Sequence, residues 1–458
     1  MINKKSLYII ISILVLFVFS ANSSFAIVDK NKKNQPTQTK SYTNDVHSVF
    51  TLEDCINIAV AQNPAIRSAV YSEIAQKTKI GQEWSKYFPE LSANVYGAAA
   101  GNHSSDNEVY YTSPNQKGFV ASVSAQMMLF DFGKAKANAD REKRTYESKQ
   151  ALSKENINSI IYDIKTTYYN ILFAQAQVKV YEDTVKDYEL QLKQAWAFYN
   201  IGKKAKIDVV IAEYNLGKAK LQLVKAKNTL SVANIELAKI MGIPEYSNFE
   251  LSGTLPINKY DVTIDDAIAT AMDVRPEIIS AKKLVDAEKM NARAAKRKFA
   301  PDIAAFGGYN YYSEYKLSSG QVGVGLSYSA LNIMKIKKEI DEANAKYQKS
   351  VADYENTKNN VYFNVKRDYF ELTTAEETIK IAKLALDEAK EQYRQVTGRY
   401  KAGVGDAIEL KDGENTYLNA RLDFYNTLLN YNTAAASLEK QIGVPLKPSI
   451  SLIINFKK

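Results

Sequence analysis

The chain has 458 residues, with ten prolines, nineteen glycines, one cysteine and a formal net charge of +9. A single cysteine excludes an internal disulfide, and two histidines, His47 in a polar leader and His103 in a loop, offer no ligand pair for a metal centre. So few prolines in so long a chain predict a small number of long elements.

Residues 1–26 set Lys4 and Lys5 before an apolar run from Leu7 to Phe19 and small residues at Ser24 and Ala26, the layout of a secretory signal peptide cut after Ala26. That run is too short for a membrane-spanning helix, and no other stretch approaches the roughly 20 apolar residues a span needs. Loss of Lys4 and Lys5 lowers the net charge by two, to +7. Lysines that alternate with acids along an exported chain argue against a nucleic-acid partner. Residues 27–50, with "KNKKNQPTQTK", are expected to be a polar disordered leader. Cys55 lies too far beyond the apolar run to accept lipid and reads as a small buried hydrophobe.

From residue 51 the chain says everything twice. "TLEDCINIAVAQNPAI" at 51–66 returns as "TIDDAIATAMDVRPEI" at 263–278, and Phe88-Pro89 returns as Ala300-Pro301. Farther on, Tyr169 pairs with Tyr369, "YNIG" at 199–202 with "YKAG" at 400–403, and "GIP" at 242–244 with "GVP" at 443–445. Two repeats are predicted, 51–262 and 263–445, leaving 446–458 as a tail. Each holds a helix, two strands, a long helix, a turn and another helix. The first repeat is longer by the polar loop around 101–118.

Strands are predicted at roughly 90–100, 119–129, 302–313 and 321–330. In the second, Phe119, Ala121, Val123, Ala125, Met127 and Leu129 face one way and Ser122, Ser124 and Gln126 the other. In the fourth, Val322, Val324, Leu326, Tyr328 and Ala330 oppose Gln321, Gly323, Gly325, Ser327 and Ser329. Tyr96, Tyr309, Tyr311 and Tyr312 lie in the other two, as tyrosines do where a membrane meets water.

The long helices carry a sevenfold period. Ile157, Ile164, Ile171, Val178, Val185, Leu192 and Tyr199 form one row, with Ile160, Ala174, Tyr181, Tyr188 and Ala195 beside it. Val365, Leu372, Ile379, Leu386, Tyr393 and Tyr400 form the other, flanked by Ala375, Ala382, Ala389 and Val396. This spacing predicts coiled-coil packing, and a helix from about Lys134 to Tyr199 would be on the order of 100 Å long. The fold class is thus an α+β membrane protein: long α-helical coiled coils plus four strands given to a β-barrel. Four strands cannot close a barrel alone, and open edges in lipid would leave backbone groups unpaired at several kcal/mol each. Several chains must share one barrel.

Catalysis finds no support. "GQVGVG" lies in an alternating strand and opens no helix, and Asp265-Asp266 sits at a helix start, where acids suit the dipole. No cofactor is expected.

The duplicated "TLEDCINIAVAQNP" and "TIDDAIATAMDVRP" openings, "LFDFG" at 129–133 and the "RYKAG" turn together resemble the TolC family of outer-membrane efflux and secretion proteins, over roughly residues 50–445. The resemblance implies a homotrimer in the outer membrane of a Gram-negative bacterium, with a twelve-stranded barrel and a helical tunnel crossing the periplasm. It implies an exit duct for an efflux pump or a type I secretion system, docked on a periplasmic adaptor and an inner-membrane transporter. The alternative is a periplasmic coiled-coil adaptor without a pore, against which the duplicated strand pairs argue.

Residue by residue, the resemblance makes Gly202 and Gly403, with Lys203 and Arg399 beside them, the adaptor-facing hairpin tips. Tyr400 and Asp208 match a hydrogen-bonded pair that helps hold the family's tunnel shut. Glu409 and Asp412 match the carboxylates ringing its narrow end, and their three-residue spacing puts both on one helical face. Gly405 departs from the pattern where an arginine ties neighbouring tips together, and Ile207 replaces a hydrogen-bonding partner.

Overall fold

The computed structural model describes residues 49–100, 116–243, 250–313, 316–328, 332–446 and 448–452. The signal peptide, the leader through Ser48, both histidines and Ala330 lie outside the described residues. The first half runs β1 (Val49–Phe50), α1 (Leu52–Gln62), α2 (Pro64–Ser85), β2 (Glu90–Ala100), β3 (Gln116–Phe130), α3 (Lys134–Asn200) and α4 (Lys206–Met241). After β4 (Glu250–Leu251) and β5 (Ile257–Tyr260) come α5 (Ile264–Val274), α6 (Pro276–Lys296), β6 (Asp302–Tyr312), β7 (Leu317–Ser327), α7 (Ile333–Lys401), α8 (Ala407–Ile442) and β8 (Pro448–Leu452).

The helix expected to open each half is two helices. Asn63 and Arg275, each before a proline, take extended geometry with ψ of 122° and 124°, because the proline ring excludes the helical conformation of its predecessor. Each junction then ties to the end of its half's last helix. Asn63 Nδ2 donates to the Ile240 carbonyl at 2.7 Å, and Arg275 Nη1 donates to the Gln441 carbonyl at 2.9 Å. At Gly242, φ is +75° and a Cβ would stand 3.0 Å from the Gln62 carbonyl oxygen, so only glycine closes this joint. Thr51 forms a capping box with Asp54, and the Thr263 hydroxyl accepts from the Asp266 N–H at 3.2 Å. The paired acids at 265–266 therefore belong to a helix cap.

Two boundaries differ from expectation. Val49 and Phe50, placed in the leader, form β1 and pair in parallel with β4. Part of the expected tail forms β8, antiparallel to β5. In each case a backbone ladder outweighs the local polarity from which the boundary was read.

The four predicted strands make one antiparallel sheet in the order β2-β3-β6-β7. Directly opposed residues share a face, and the pairings Leu91↔Ala125, Val95↔Ala121, Ala125↔Gly307, Met127↔Ala305 and Ala305↔Val324 join the apolar rows of all four strands into one continuous surface. That surface is open: Val95 is 73 % exposed, Val322 90 % and Leu326 67 %. Ser92, Asn94, Ser122, Ser124, Gln126, Asn310, Gln321 and Ser327 lie on the other face. The parity fails at one place. A bulge between Met128 and Phe130 sets Phe130, not Leu129, opposite Ile303. β7 ends at Ser327, so Tyr328 falls outside the ladder.

Helices α3 and α7 have 67 and 69 residues, about 100 Å each at 1.5 Å per residue. The sevenfold rows bury as predicted through Ile164, Ile171 and Val185 on α3 and through Val365, Leu372, Ile379, Leu386 and Tyr400 on α7. Tyr199 does not follow its row and is 38 % exposed, since α3 ends one residue later. The main core gathers Ile164, Ile171, Leu237, Met241, Val365, Phe424 and Leu438 where α1, α3, α4, α7 and α8 meet. Cys55 sits in it, fully buried, and burial pushes its thiol up to about 12, which makes it inert. Among the described residues, no helix is long and apolar enough to cross a membrane.

Candidate functional site: the helix-hairpin tips

The helices α3 and α4 are joined by residues 201–205, and α7 and α8 by residues 402–406. Gly202 and Gly403 both take left-handed geometry, φ +72° and +79°, and their N–H groups donate back to the Tyr199 and Tyr400 carbonyls at 2.9 and 3.0 Å. These turns satisfy the orphan carbonyls at the helix ends. Gly202, Lys203 and Gly403 are exposed at the two turns.

Gly405 has a separate cause. A Cβ there would lie 2.8 Å from the Tyr400 nitrogen and 3.0 Å from the Arg399 carbonyl carbon, while the Val404 and Gly405 N–H groups both donate to the Arg399 carbonyl. The turn is folded flat against the last turn of α7, so no arginine fits at this position. The tip's polar link is instead Arg399 to Glu409, Nη1 to Oε1 at 2.7 Å. Of the two expected gate carboxylates, Glu409 is therefore paired within its own chain. The exposed Asp412 side chain has no ion pair among the described residues.

Tyr400 is 5 % exposed and brings the two tips together. Its ring meets Phe198 of α3 edge-on at 6.4 Å, Lys204 Nζ lies 5.6 Å from its centroid, and Val396 and Leu410 pack beneath it. Burial raises the pKa of its hydroxyl, and the charges of Asp208 and Asp406 raise it further. Asp208 is thus a close electrostatic neighbour, although among the described contacts of one chain no hydrogen bond joins it to Tyr400. Ile207 is 61 % exposed and contributes no polar contact here.

About two turns up α8 from the tip, the structure assembles a cluster that the sequence reading missed. Glu414 is 3 % exposed, wedged between α8 and α3. Gln191 Nε2 donates to its Oε2 at 3.0 Å, and its Oε1 has no partner. Burial pushes the carboxyl up to about 7; the Gln191 hydrogen bond opposes that shift and the Asp187 charge adds to it. Arg421 of α8 reaches Asp183 of α3 at 3.0 Å, and Tyr393 and Tyr417 stack at 5.4 Å. Gly413 lets α7 approach α8, since a Cβ there would stand 2.6 Å from Val396 Cγ2. One signal was available: Glu414 falls in the helical row of Leu410, Tyr417, Arg421 and Phe424, an acid on a largely apolar face.

The sequence model of the outer membrane efflux protein family matches residues 55–243 and 267–444. A probable efflux pump outer membrane protein of Pseudomonas putida, TtgC, is 22 % identical over 402 residues, 86 % of this chain and 82 % of that protein. Among solved structures, the Campylobacter jejuni CmeC outer membrane channel superposes with a TM-score of 0.73 at 15 % identity, covering 90 % of this chain and 92 % of that one. The Neisseria gonorrhoeae MtrE outer membrane channel, solved in its open state, gives 0.71 at 20 % identity over 86 % of this chain and 89 % of that one. With four-fifths of its length inside the family's sequence model, the chain belongs to the outer membrane efflux protein family.

Proposed function

We propose that this outer-membrane efflux protein is the exit duct of a tripartite pump, built by three copies of the chain that share one twelve-stranded barrel and one helical tunnel. The sheet carries the proposal: it has one continuous exposed apolar face, and its outer strands β2 and β7 have free edges among the described residues. Closing β7 of one copy on β2 of the next removes those edges. The helices support the same assembly, since α4 leaves Val210, Tyr214, Leu221 and Val224 exposed along one side and α7 leaves Phe363 and Phe370. The repeated order of helices and strands, joined alike at Asn63 and Arg275, supports two structural repeats, 51–262 and 263–445. Each repeat then supplies half of a protomer's share of barrel and tunnel.

In this duct the tips close the periplasmic end. Tyr400 and Asp208 hold the two hairpins of one protomer together, and Glu409 and Asp412 face the narrowing. Gly202, Lys203, Arg399 and Gly403 form the surface offered to a periplasmic adaptor, through which an inner-membrane transporter delivers the cargo. TtgC, named an efflux pump outer membrane protein, favours an efflux pump over a secretion system as the transporter.

Mass measurement of the detergent-purified chain tests the assembly. A particle of three copies that resists extraction from membranes by salt is expected. A folded, lipid-inserted single copy, or a chain that washes off with salt alone, overturns it.

A further inference from the structure

We infer that Glu414 is a protonation-controlled clasp between the two hairpins: neutral, it lets α3 and α8 seal against each other, and ionised, it forces them apart near the tip. The inference rests on the reading of the tips as a gate.

The geometry supplies three elements. The first is the seam itself, where the hairpins are bridged near the tip by few polar links: Gln191 to Glu414, Arg421 to Asp183 at 3.0 Å, and the Phe198–Tyr400 ring contact. The second is the unpartnered Oε1 of a side chain only 3 % exposed. A protonated carboxyl presents a neutral O–H there, whereas a carboxylate places a buried charge with one donor to serve it. The third is the company it keeps. From α3 it faces Asp187 and Tyr188, with Asp183 a turn away, and from α7 it faces Tyr393. The cations near the seam are committed elsewhere. Arg421 and Lys179 serve Asp183, while behind α3 the α4 lysines Lys220 and Lys227 take Glu189 and Glu182. Lys401 of α7 acts on Asp187 and is not among the groups that shift Glu414.

The sign follows from linkage. Packed, the carboxyl holds its proton up to about 7; released into water, it returns toward its ordinary 4.5. The sealed state therefore binds the proton more tightly, and its advantage is complete at acid pH and lost as pH rises through about 7. Across that window the ratio of open to sealed protomers rises by up to about tenfold per pH unit. The periplasmic end would loosen toward alkaline pH and tighten toward acid.

Two readouts test this on the full assembled protein. Single-channel current in planar bilayers should show low open probability at pH 5.5 and higher at pH 8. Glu414→Gln, a shape match for the neutral acid, should stay in the low-conductance state at both. Spin labels at Lys186→Cys on α3 and Thr416→Cys on α8, with labelled chains diluted among unlabelled ones, should separate at pH 8 and not in the Glu414→Gln background. The buried Cys55 thiol leaves the labelling specific. Asp187→Asn should move the midpoint to lower pH, because it removes a charge that raises the Glu414 value; a merely structural role would leave the midpoint in place. Equal pH dependence in wild type and Glu414→Gln, or no label movement in wild type, overturns the clasp. Label movement that depends on Glu414 in a protein forming no pores would keep the clasp and refute the duct.

Discussion

Gly405 shows how one residue can be misjudged from a pattern and still be explained by local geometry. Its absent Cβ is what permits the α7–α8 turn to lie on the Tyr400 backbone, so the turn itself displaces the arginine of the family pattern. Tyr400 lay in the sevenfold row, and both its burial and its place at the tip could be read from spacing. Glu409 and Asp412 were legible as a pair on one helical face. Their inequality was not, because it depends on Arg399 folding back across the turn to Glu409. That pair is surface-exposed and worth at most about 1 kcal/mol in stability, but it offsets the Glu409 charge locally. Asp412→Asn should therefore weaken block of single-channel current by a polyvalent cation more than Glu409→Gln does, and the double variant should lose most of it. Unchanged block in the double variant would remove both acids from the narrowing.

At the scale of elements, periodicity carried nearly everything that depends on one strand or helix alone. The alternation located the four strands, and the sevenfold rows located most of the buried seam of α3 and α7. What failed were features decided by a distant partner. The bulge after Met128 shifts parity because β6 fixes the register, and β8 exists because β5 offers an edge. The joint at Arg275 is of the same kind. Its guanidinium, 5 % exposed, serves the Gln441 carbonyl at the end of α8, Glu277 at 3.1 Å and Glu155 of α3 at 3.8 Å. Burial raises the Glu155 pKa, and Arg275 is the main influence opposing that rise. Arg275→Ala should cost on the order of 3–5 kcal/mol by leaving a buried acid unpaired, read as a lower melting temperature at fixed scan rate in detergent. With the guanidinium gone, Glu155 takes up a proton more readily on folding. The loss should therefore be greatest at neutral pH and shrink on acidification. A deficit of equal size at pH 5 and pH 8 would assign the effect to packing alone.

At the scale of the whole molecule, hydrogen bonding and apolar exposure fix what the sheet can be. In water, a face carrying Leu91, Val95, Val322, Val324 and Leu326 in the open would invite aggregation; in hydrocarbon it is the stable surface, and only the two edges remain to be joined. The sequence could show the alternation but not which face is covered, since a soluble sandwich alternates in the same way; the exposure of the joined apolar rows makes that choice. Neighbours on β7 give a matched test. Val322, sixth of the strand's eleven residues, lies on the apolar face, while Gln321 beside it lies on the polar face opposite Gly308. A lysine at a lipid-facing midplane position costs about 2–4 kcal/mol, whereas a lumen-facing one is tolerated. Val322→Lys should therefore sharply reduce the assembled protein recovered from the outer membrane, and Gln321→Lys should leave it near the wild-type level. Because the two positions are adjacent in one strand, propensity and expression effects are shared, and only the facing differs. Equal recovery of the two variants would mean that the apolar face does not meet lipid, and the shared barrel would fall with it.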